Sequence, residues 1–422
     1  MTIKFVVFQV LLFCLQNISF QPSLHAQSSP ADLKEAAVIA FDIYKQIHQE
    51  PELGKKEFKT ALLLRSKLKE FGFTEFYDVK DLSTAVITVL DTKKPGAIIA
   101  LRAEMDARPG KENTGLPYSS KIDTIVHSCG HDAHAAILLA TAYLMRKNIK
   151  SLKGKIVFVF QPAEETKGGA DDIVNDGILV RLGIEKMFAL HSTDGMAVGT
   201  ISVSPGYIMA GSNYFTVDLK GKGSHAAMPY QGDDIPLATS EIIKELGEIP
   251  ARKMDISQRP CVISTTFISV GRSNALNVLP DSGQFKGTVR AYEDLDSSFN
   301  GQASIAKIIR GCLENYCTPR KILFNLNIEK GSPPTLNNQA LFEKTLQRLN
   351  KSFSGKIDTS PYKGMTAEDF SYYTNQFPCL YFGLGIAKDN LGFGNIHSNQ
   401  FSVHPDCFIY GIELMSLLGQ IN

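Results

Sequence analysis

One short segment of the chain concentrates side chains that bind transition metals. Residues 127–134 read His-Ser-Cys-Gly-His-Asp-Ala-His, which places one cysteine and three histidines close together. Thiolate and imidazole are good ligands for zinc, manganese, cobalt or nickel. Gly130 lets the backbone bend so that the side chains of Cys129 and His131 converge, and Asp132 could orient an imidazole. The segment is therefore predicted to bind metal; the simpler alternative is a loop that Asp132 caps before a helix.

The adjacent carboxylates Glu164 and Glu165 form a second candidate, directly after a predicted strand at 155–160. Neighbouring side chains in a loop point in different directions, so one carboxylate can bind a metal while the other reaches a water molecule. Water acidified by two cations can give its proton to such a base, which then hands it to a leaving amine. Taken alone, the pair would be interpreted as solvated acidic residues.

Other polar residues gain meaning only when they are taken together. His191 ends the apolar run MFAL and His397 lies in the segment Gly-Asn-Ile-His-Ser; alone, each would be interpreted as a buried structural histidine. With the cysteine–histidine loop and the glutamate pair, they complete five ligands for two metals and a base. Later in the chain, His225 could stabilise an oxyanion, and Asn277 and Arg290 could hold a carboxylate. Alone, these three would be two turn residues and a solvated arginine.

The segments around these residues alternate between predicted strands and helices. Helical faces start near Leu33 and Ala61, and a buried helix is predicted at 135–146. Between them lie short apolar runs that predict strands at 84–90, 97–101, 155–160 and 186–190. This alternation predicts an α/β layer fold with a largely parallel sheet. In such sheets ligands gather at the carboxyl ends of strands, where several of the candidate residues fall.

The pattern changes near residue 207 and changes back after Pro334. The intervening elements are a strand (214–219), a helix (235–246), two strands (262–270 and 284–292), a helix (297–313) and a strand (321–328). This β-α-β-β-α-β order is the ferredoxin-like arrangement. Helices at 339–349 and 367–374, a strand at 380–384 and a helix at 408–419 follow. The chain is therefore predicted to have a discontinuous catalytic domain (27–206 and 331–422) with an inserted satellite domain (207–330).

The N-terminus predicts the cellular location of the protein, and the composition limits the kinds of partner it is expected to bind. Lys4, the apolar run Phe5–Cys14 and a polar stretch ending near Ala26 predict a signal peptide at 1–26, so the protein is expected to be exported, periplasmic or secreted; a buried helix is the alternative. Lys and Arg number 44 against 43 Asp and Glu, without basic runs, so neither nucleic acid nor a membrane is expected as partner. The six cysteines that follow the predicted signal peptide are scattered along the chain, unlike those of a disulfide framework.

At these residues the sequence resembles the M20 metallopeptidase family, and within it the amidohydrolase branch. That branch includes hippurate hydrolases, auxin-conjugate hydrolases and N-acetyldiaminopimelate deacetylases. The similarity runs from about His48 to the last predicted helix. It is carried, in the family's order, by the segments HQEPELG, LRAEMDARP, ENTGLPYSS, HSCGHDAH, FQPAEE, GKGSHAAMP, NVLPD, GTVR and TAEDF. The resemblance implies a two-metal amidohydrolase that cleaves the amide bond of N-acyl amino acids or similar small amides.

The resemblance also implies roles for the matching residues. Two divalent ions (manganese, zinc, cobalt or nickel) are expected, with Cys129 bridging them. The remaining ligands are expected to be His131, Glu165, His191 and His397. Glu164 is expected to act as general base and Asp106 to support the site. His225 resembles a satellite histidine that, in dimeric relatives, reaches the active site of the partner subunit, which implies a homodimer formed through the satellite domain. Asn277 and Arg290 resemble contacts to a substrate carboxylate.

A few positions depart from the branch. Glu104 stands where Asp is usual, Arg108 where Leu is usual, and Ser128 where Ala is frequent, while His191 is followed by Ser-Thr-Asp-Gly. These changes leave every ligand intact and bear on substrate choice; Arg108 is predicted to favour an acidic acyl group. The alternatives are an exopeptidase or dipeptidase of the same family, a non-catalytic metal- or ligand-binding protein, and a regulatory dimerisation protein that keeps the fold. The intact Glu164 and the complete ligand set argue against the non-catalytic metal- or ligand-binding protein.

Overall fold

The computed structural model describes residues 29–421, so the predicted signal peptide lies outside the described residues. The chain divides into two compact units. The first contains the described residues up to Gly206, then Asn337–Tyr362 and the chain from Tyr372 onward. The second contains Tyr207–Leu336 and Lys363–Ser371. Within 29–421, no helix combines the length and apolarity needed to cross a membrane.

The helices and strands are as follows. The helices are α1 (Pro30–Gln49), α2 (Phe58–Glu70), α3 (His131–Lys147), α4 (Ala170–Asp176), α5 (Ile178–Arg181), α6 (Ile235–Lys253), α7 (Ile305–Cys317), α8 (Gln339–Ser352), α9 (Ser371–Thr374) and α10 (Cys407–Leu418). The strands are β1 (Phe76–Tyr77), β2 (Val86–Asp91), β3 (Ile98–Glu104), β4 (Arg108–Pro109), β5 (Ile125–Val126), β6 (Lys155–Gln161), β7 (Lys186–Ala197), β8 (Ile201–Ser202), β9 (Gly206–Met209), β10 (Gly211–Lys220), β11 (Ser224–His225), β12 (Cys261–Val270), β13 (Val278–Leu279), β14 (Ser282–Ala291), β15 (Leu323–Lys330), β16 (Thr335–Asn337), β17 (Ile357–Asp358) and β18 (Cys379–Ala387).

The first unit is built on an eight-stranded mixed sheet in the order β1-β2-β6-β3-β7-β18-β8-β17. Its central strands β6, β3, β7 and β18 run parallel, while β2 and β8 pair antiparallel with their central neighbours. The central strands read as continuous apolar runs because both faces of the sheet are covered. Helix α3 is buried along nearly its whole length, and it packs on α1, α10 and β3. The predicted α/β class is confirmed, with a mixed sheet whose parallel part is central.

The second unit contains a four-stranded antiparallel sheet in the order β12-β14-β10-β15. Helix α6 connects β10 to β12, and α7 connects β14 to β15, so the chain order is β-α-β-β-α-β. The apolar faces of both helices and the sheet form one core that includes Phe215, Phe285 and Leu313. Strand β12 lies at one edge of this sheet and exposes apolar side chains, among them Phe267 and Ile268.

Two predicted helices are shorter than expected. The helix predicted at 297–313 begins at Ile305, because Asn300 and Gly301 adopt positive φ angles of 47° and 77° and Ser304 caps the helix with its side chain. The helix predicted at 367–374 is reduced to α9. There the Glu368 carboxylate accepts the backbone N–H of Phe370 at 3.0 Å, a local bond that competes with helix formation.

Candidate metal centre

Cys129 and His131 lie at the point where the chain enters α3, four residues earlier than the predicted start of that helix. Gly130 precedes the helix with a left-handed φ of 86°, and a Cβ there would lie 2.7 Å from Ser192 Oγ. Glycine is therefore required between the two candidate ligands. The Cys129 Sγ lies 3.3 Å from His191 Nε2. His191 is not at a strand end, as predicted, but within the longer strand β7.

The five candidate ligands form two groups that share Cys129. One group is Cys129, His131 and His191, and the other is Cys129, Glu165 and His397. Within each group, one potential ligand atom per residue lies within 4.8 Å of the others. A sulfur common to two such groups is suited to bridging two ions. Burial raises the pKa of the Cys129 thiol, whereas a bound divalent cation favours the thiolate.

The Asp106 carboxylate connects the two ligand groups, because it bonds to His131 of one group and to Glu165 of the other. His131 Nδ1 donates towards Asp106 Oδ1 at 3.1 Å and towards its backbone oxygen at 3.0 Å, because both are acceptors. The other carboxylate oxygen, Oδ2, accepts the backbone N–H of Glu165 at 2.9 Å. With the proton on Nδ1, His131 presents an unprotonated Nε2, which is buried and has no hydrogen-bond partner among the described residues. Such a nitrogen, held by a carboxylate behind it, fits a metal ion.

The two glutamates have different surroundings. Glu165 Oε1 lies 3.2 Å from His397 Nε2 and Oε2 lies 3.2 Å from Arg108 Nε. Burial alone would raise the pKa of Glu165, but His397, His131 and Arg108 lower it overall, which favours the ionised form. Glu164 Oε2 lies 3.9 Å from His131 Nε2. Glu164 thus faces His131 of one ligand group and, in a third close set of ligand atoms, Glu165 of the other.

His397 reaches the centre from a loop with an uncommon backbone. Its φ is 70°, a left-handed value that non-glycine residues rarely adopt. Its backbone N–H donates to the carbonyl of Ser128 at 2.7 Å. The loop that carries His397 is thereby fixed to the segment that carries Cys129, although the two are far apart in sequence.

Two buried networks next to this centre were not identified from the sequence. His134, the third histidine of the 127–134 segment, is in the first of these networks. Its Nδ1 donates to Glu104 Oε2 at 3.0 Å and its Nε2 accepts the Ser192 N–H at 2.8 Å. Burial lowers the pKa of His134 to about 4, so this ring is neutral. Arg102 pairs with the other oxygen of Glu104.

In the second network Asp132 does orient an imidazole, but it is that of His48. The Asp132 Oδ2 lies 2.5 Å from His48 Nδ1, and Glu112 Oε2 lies 3.3 Å from His48 Nε2. His127 is buried nearby and does not belong to either ligand group. Partners such as Glu104 and Glu112 are distant in sequence from the histidines they hold, so local patterns gave no signal for them.

The other predicted residues lie in the second unit. His225 and Asn277 come together: Val278 pairs with His225, and the Asn277 carbonyl accepts the Ala226 N–H at 2.9 Å. His225 Nδ1 accepts the Ala227 N–H at 3.1 Å. Arg290 lies near the far end of β14, with its guanidinium 5.9 Å from the centre of the Tyr214 ring. The described residues show no contact between Arg290 and the other two.

The ordered motifs and the paired ligand groups agree with comparisons to known proteins. The sequence profile described as Peptidase family M20/M25/M40 matches residues 100–420. The chain belongs to the M20 peptidase family. An N-acetyl-L-cysteine deacetylase of Bacillus subtilis is 35% identical over 371 residues, covering 87% of this chain and 85% of that protein. Thermostable carboxypeptidase 1 of Saccharolobus solfataricus is 34% identical, over 92% of this chain and 96% of that protein.

Solved structures show the same relationship. The YXEP protein of Bacillus subtilis, described as a dinuclear metal-binding M20 peptidase, matches with a TM-score of 0.79 and 26% identity, over 92% of this chain and 98% of that one. The resemblance to the amidohydrolase branch is thereby confirmed. This M20 protein is a metal-dependent hydrolase of carbon–nitrogen amide bonds, and its ligand set suits two divalent ions.

Proposed function

We propose that this M20 hydrolase cleaves small N-acyl amino acids, with Glu164 as the general base. The observation that carries the proposal is the sharing of Cys129 by two ligand groups, with Glu164 beside a member of each. Two divalent ions would be held by Cys129, His131, Glu165, His191 and His397. Their sulfur, nitrogen and oxygen donors suit zinc, manganese, cobalt or nickel.

The protein's own residues divide the work around these ions. When bound, the ions supply Lewis acidity towards the amide carbonyl and lower the pKa of a water molecule. Glu164 takes the proton of the attacking water and delivers it to the leaving amine. Asp106 fixes the tautomer of His131 and, through its bond to the Glu165 N–H, the position of the second carboxylate.

We infer that the active enzyme is a homodimer formed through the satellite domain. Strand β12 is an edge strand whose Phe267 and Ile268 are 47% and 58% exposed, so its backbone and side chains are available to a second copy. In this proposal His225 from the second copy stabilises the oxyanion, and Asn277 and Arg290 contact the substrate carboxylate. Light scattering of the wild type and of Ile268→Lys tests it: a wild type that is monomeric at assay concentration contradicts the dimer.

Export is part of the same proposal. A signal peptide at 1–26 would place the mature enzyme in the periplasm or outside the cell, where small acylated amino acids are available as nutrients. N-terminal sequencing of the mature protein from fractionated cells tests this assignment. Recovery of the intact N-terminus from the cytoplasm would contradict it.

The activity is tested with mature protein stripped of metal and reloaded with each of the four ions. Free amine release is measured on N-acetyl and N-benzoyl amino acids and on dipeptides. Metal-dependent turnover that favours acyl amino acids supports the proposal. A preference for dipeptides would favour the second candidate, an exopeptidase, which the similarity to a carboxypeptidase supports. Two tightly bound ions without any turnover would contradict both.

A further inference from the structure

The segment Glu52–Glu57 contacts both loops that carry the carboxylates of the metal centre. It belongs to the stretch HQEPELGKKE, which contains none of the proposed ligands or the base. Its first contact is with the loop of Asp106: the Glu52 carbonyl accepts the Ala107 N–H at 2.8 Å, and Leu53 forms an isolated β-bridge with Ala107. The segment therefore holds the residue that follows Asp106.

Its second contact is with the loop of Glu164 and Glu165. Glu57 is fully buried, with 0% of its surface exposed. It stands at the N-cap of α2, yet its side chain does not cap that helix. Instead, Glu57 Oε1 accepts the backbone N–H of Ala163 at 2.9 Å. The carboxylate thus acts on the residue directly before the proposed general base.

Ala163 needs such support because of its backbone conformation. Its φ is 60°, in the left-handed region that residues with a Cβ rarely adopt. This turn directs the chain out of β6 and sets the directions of the next two side chains. Without a hydrogen bond to hold it, Ala163 can relax towards a common conformation, which would rotate Glu164 away from its observed position, whereas the Glu165 N–H stays bound to Asp106 Oδ2 at 2.9 Å.

The packing between the two segments leaves little room for movement. A Cβ at Gly54 would lie 2.5 Å from Thr166 Oγ1 and 3.1 Å from Ala163 Cα. Lys55, next to Gly54, forms an ion pair with Asp172 at 2.8 Å, at the start of α4. The segment therefore packs against the glutamate loop at Ala163 and at Thr166, the residues on either side of Glu164 and Glu165.

We propose that Glu57 is a positioning residue for hydrolysis: by holding Ala163 in its left-handed conformation, it aligns Glu164 with the reacting water. The proposal rests on the function proposed above, because it assigns Glu164 as the base. Glu57 itself touches neither substrate nor ligand. Its effect is expected on turnover, not on substrate affinity or on the number of bound ions.

The test compares Glu57→Ala and Glu57→Gln in the metal-loaded enzyme. Loss of the acceptor is expected to lower kcat roughly 10- to 100-fold, the scale seen when a reacting group is displaced by about 1 Å, with KM and a content of two ions preserved. Glutamine keeps an acceptor oxygen and is expected to retain most of the turnover. Glu413→Ala is the matched control, because it removes another buried carboxyl, on α10, for which the described residues show no hydrogen bond.

A second variant separates the local mechanism from general destabilisation. Glycine adopts positive φ freely, so adding Ala163→Gly to Glu57→Ala is expected to raise kcat again. Equal losses of kcat in Glu57→Ala and Glu413→Ala, or no recovery in the double variant, would overturn the proposal. If wild type hydrolyses amides but Glu164→Ala retains full turnover, the assigned base is wrong; that outcome is distinct from a failure of Glu57 alone.

Discussion

Replacement of Glu164 by alanine tests the division of labour between the two adjacent glutamates. Glu164 Oε2 is 3.9 Å from His131 Nε2, beyond hydrogen-bond distance, whereas Glu165 contacts both His397 and Arg108 at 3.2 Å. These contacts favour the proposed assignment of Glu165 as a metal ligand and of Glu164 as the base that acts on a water molecule. We expect Glu164→Ala to keep both ions and to lose turnover.

The size of the loss follows from the role. A positioned general acid–base contributes roughly 10²- to 10⁴-fold to a rate, which is about 2.7 to 5.4 kcal/mol at ~1.36 kcal/mol for each factor of ten. Glu164→Gln preserves the size of the side chain and removes only its basicity, so it should lose nearly as much. A much smaller loss in the glutamine variant would mean that Glu164 orients the water without taking its proton.

The assay needs two readouts on the same preparation. Bound metal is measured by mass spectrometry after dialysis, and kcat is measured by amine release from an N-acetyl amino acid. Glu165→Gln is the matched control, because it changes a neighbouring carboxylate of similar exposure and is expected to lose metal first. If Glu164→Ala loses metal while Glu165→Gln keeps it, the two roles are reversed and the reasoning is refuted.

Three further predictions concern the surroundings of the centre. Asp106→Ala should weaken metal binding by roughly 10- to 100-fold, measured by chelator competition; unchanged affinity would contradict its role. Arg108→Leu should reduce the preference for acidic over neutral acyl groups, and an unchanged substrate ranking would contradict it. Burial alone would lower the pKa of His48, but Asp132 and Glu112 raise it to about 9. Protonated His48 therefore stabilises the folded state fully below about pH 6.5, the ordinary pKa of histidine, and this stabilisation is lost as the pH rises through 9. The contribution to the free energy of unfolding is on the order of 3 kcal/mol. The unfolding free energies of metal-free wild type and of His48→Gln should therefore converge at high pH; a difference that stays constant with pH would contradict this.

The ligands themselves could be found in the sequence because their types and local context are distinctive. Cys129 and His131 flank a glycine, and Glu164 and Glu165 follow an apolar strand. Such local patterns can be recognised in a sequence without knowledge of the fold. A parallel sheet brings the ends of its central strands to one edge, which explains why residues from separate segments converge on one centre.

The residues that hold the ligands could not be found in the same way. Glu57 acts on Ala163 and Glu104 acts on His134, and each pair joins segments whose proximity depends on the packing of the sheet and its connections. Helix boundaries failed for a different reason. Near Asn300 and Glu368, local backbone conformation and side-chain bonding override an apolar periodicity that would otherwise continue a helix.

The unequal exposure of the two ligand groups has a kinetic consequence. His131 is buried, whereas the His397 side chain is 45% exposed, so an ion held with His397 would exchange with solvent much faster than one held with His131. Loading and stripping would then be ordered, with a half-loaded enzyme as a discrete species. A brief chelator pulse should yield protein with one ion per chain, and simultaneous release of both would contradict this order. When the metal content of the medium changes, the outer position would set how quickly the enzyme gains or loses activity.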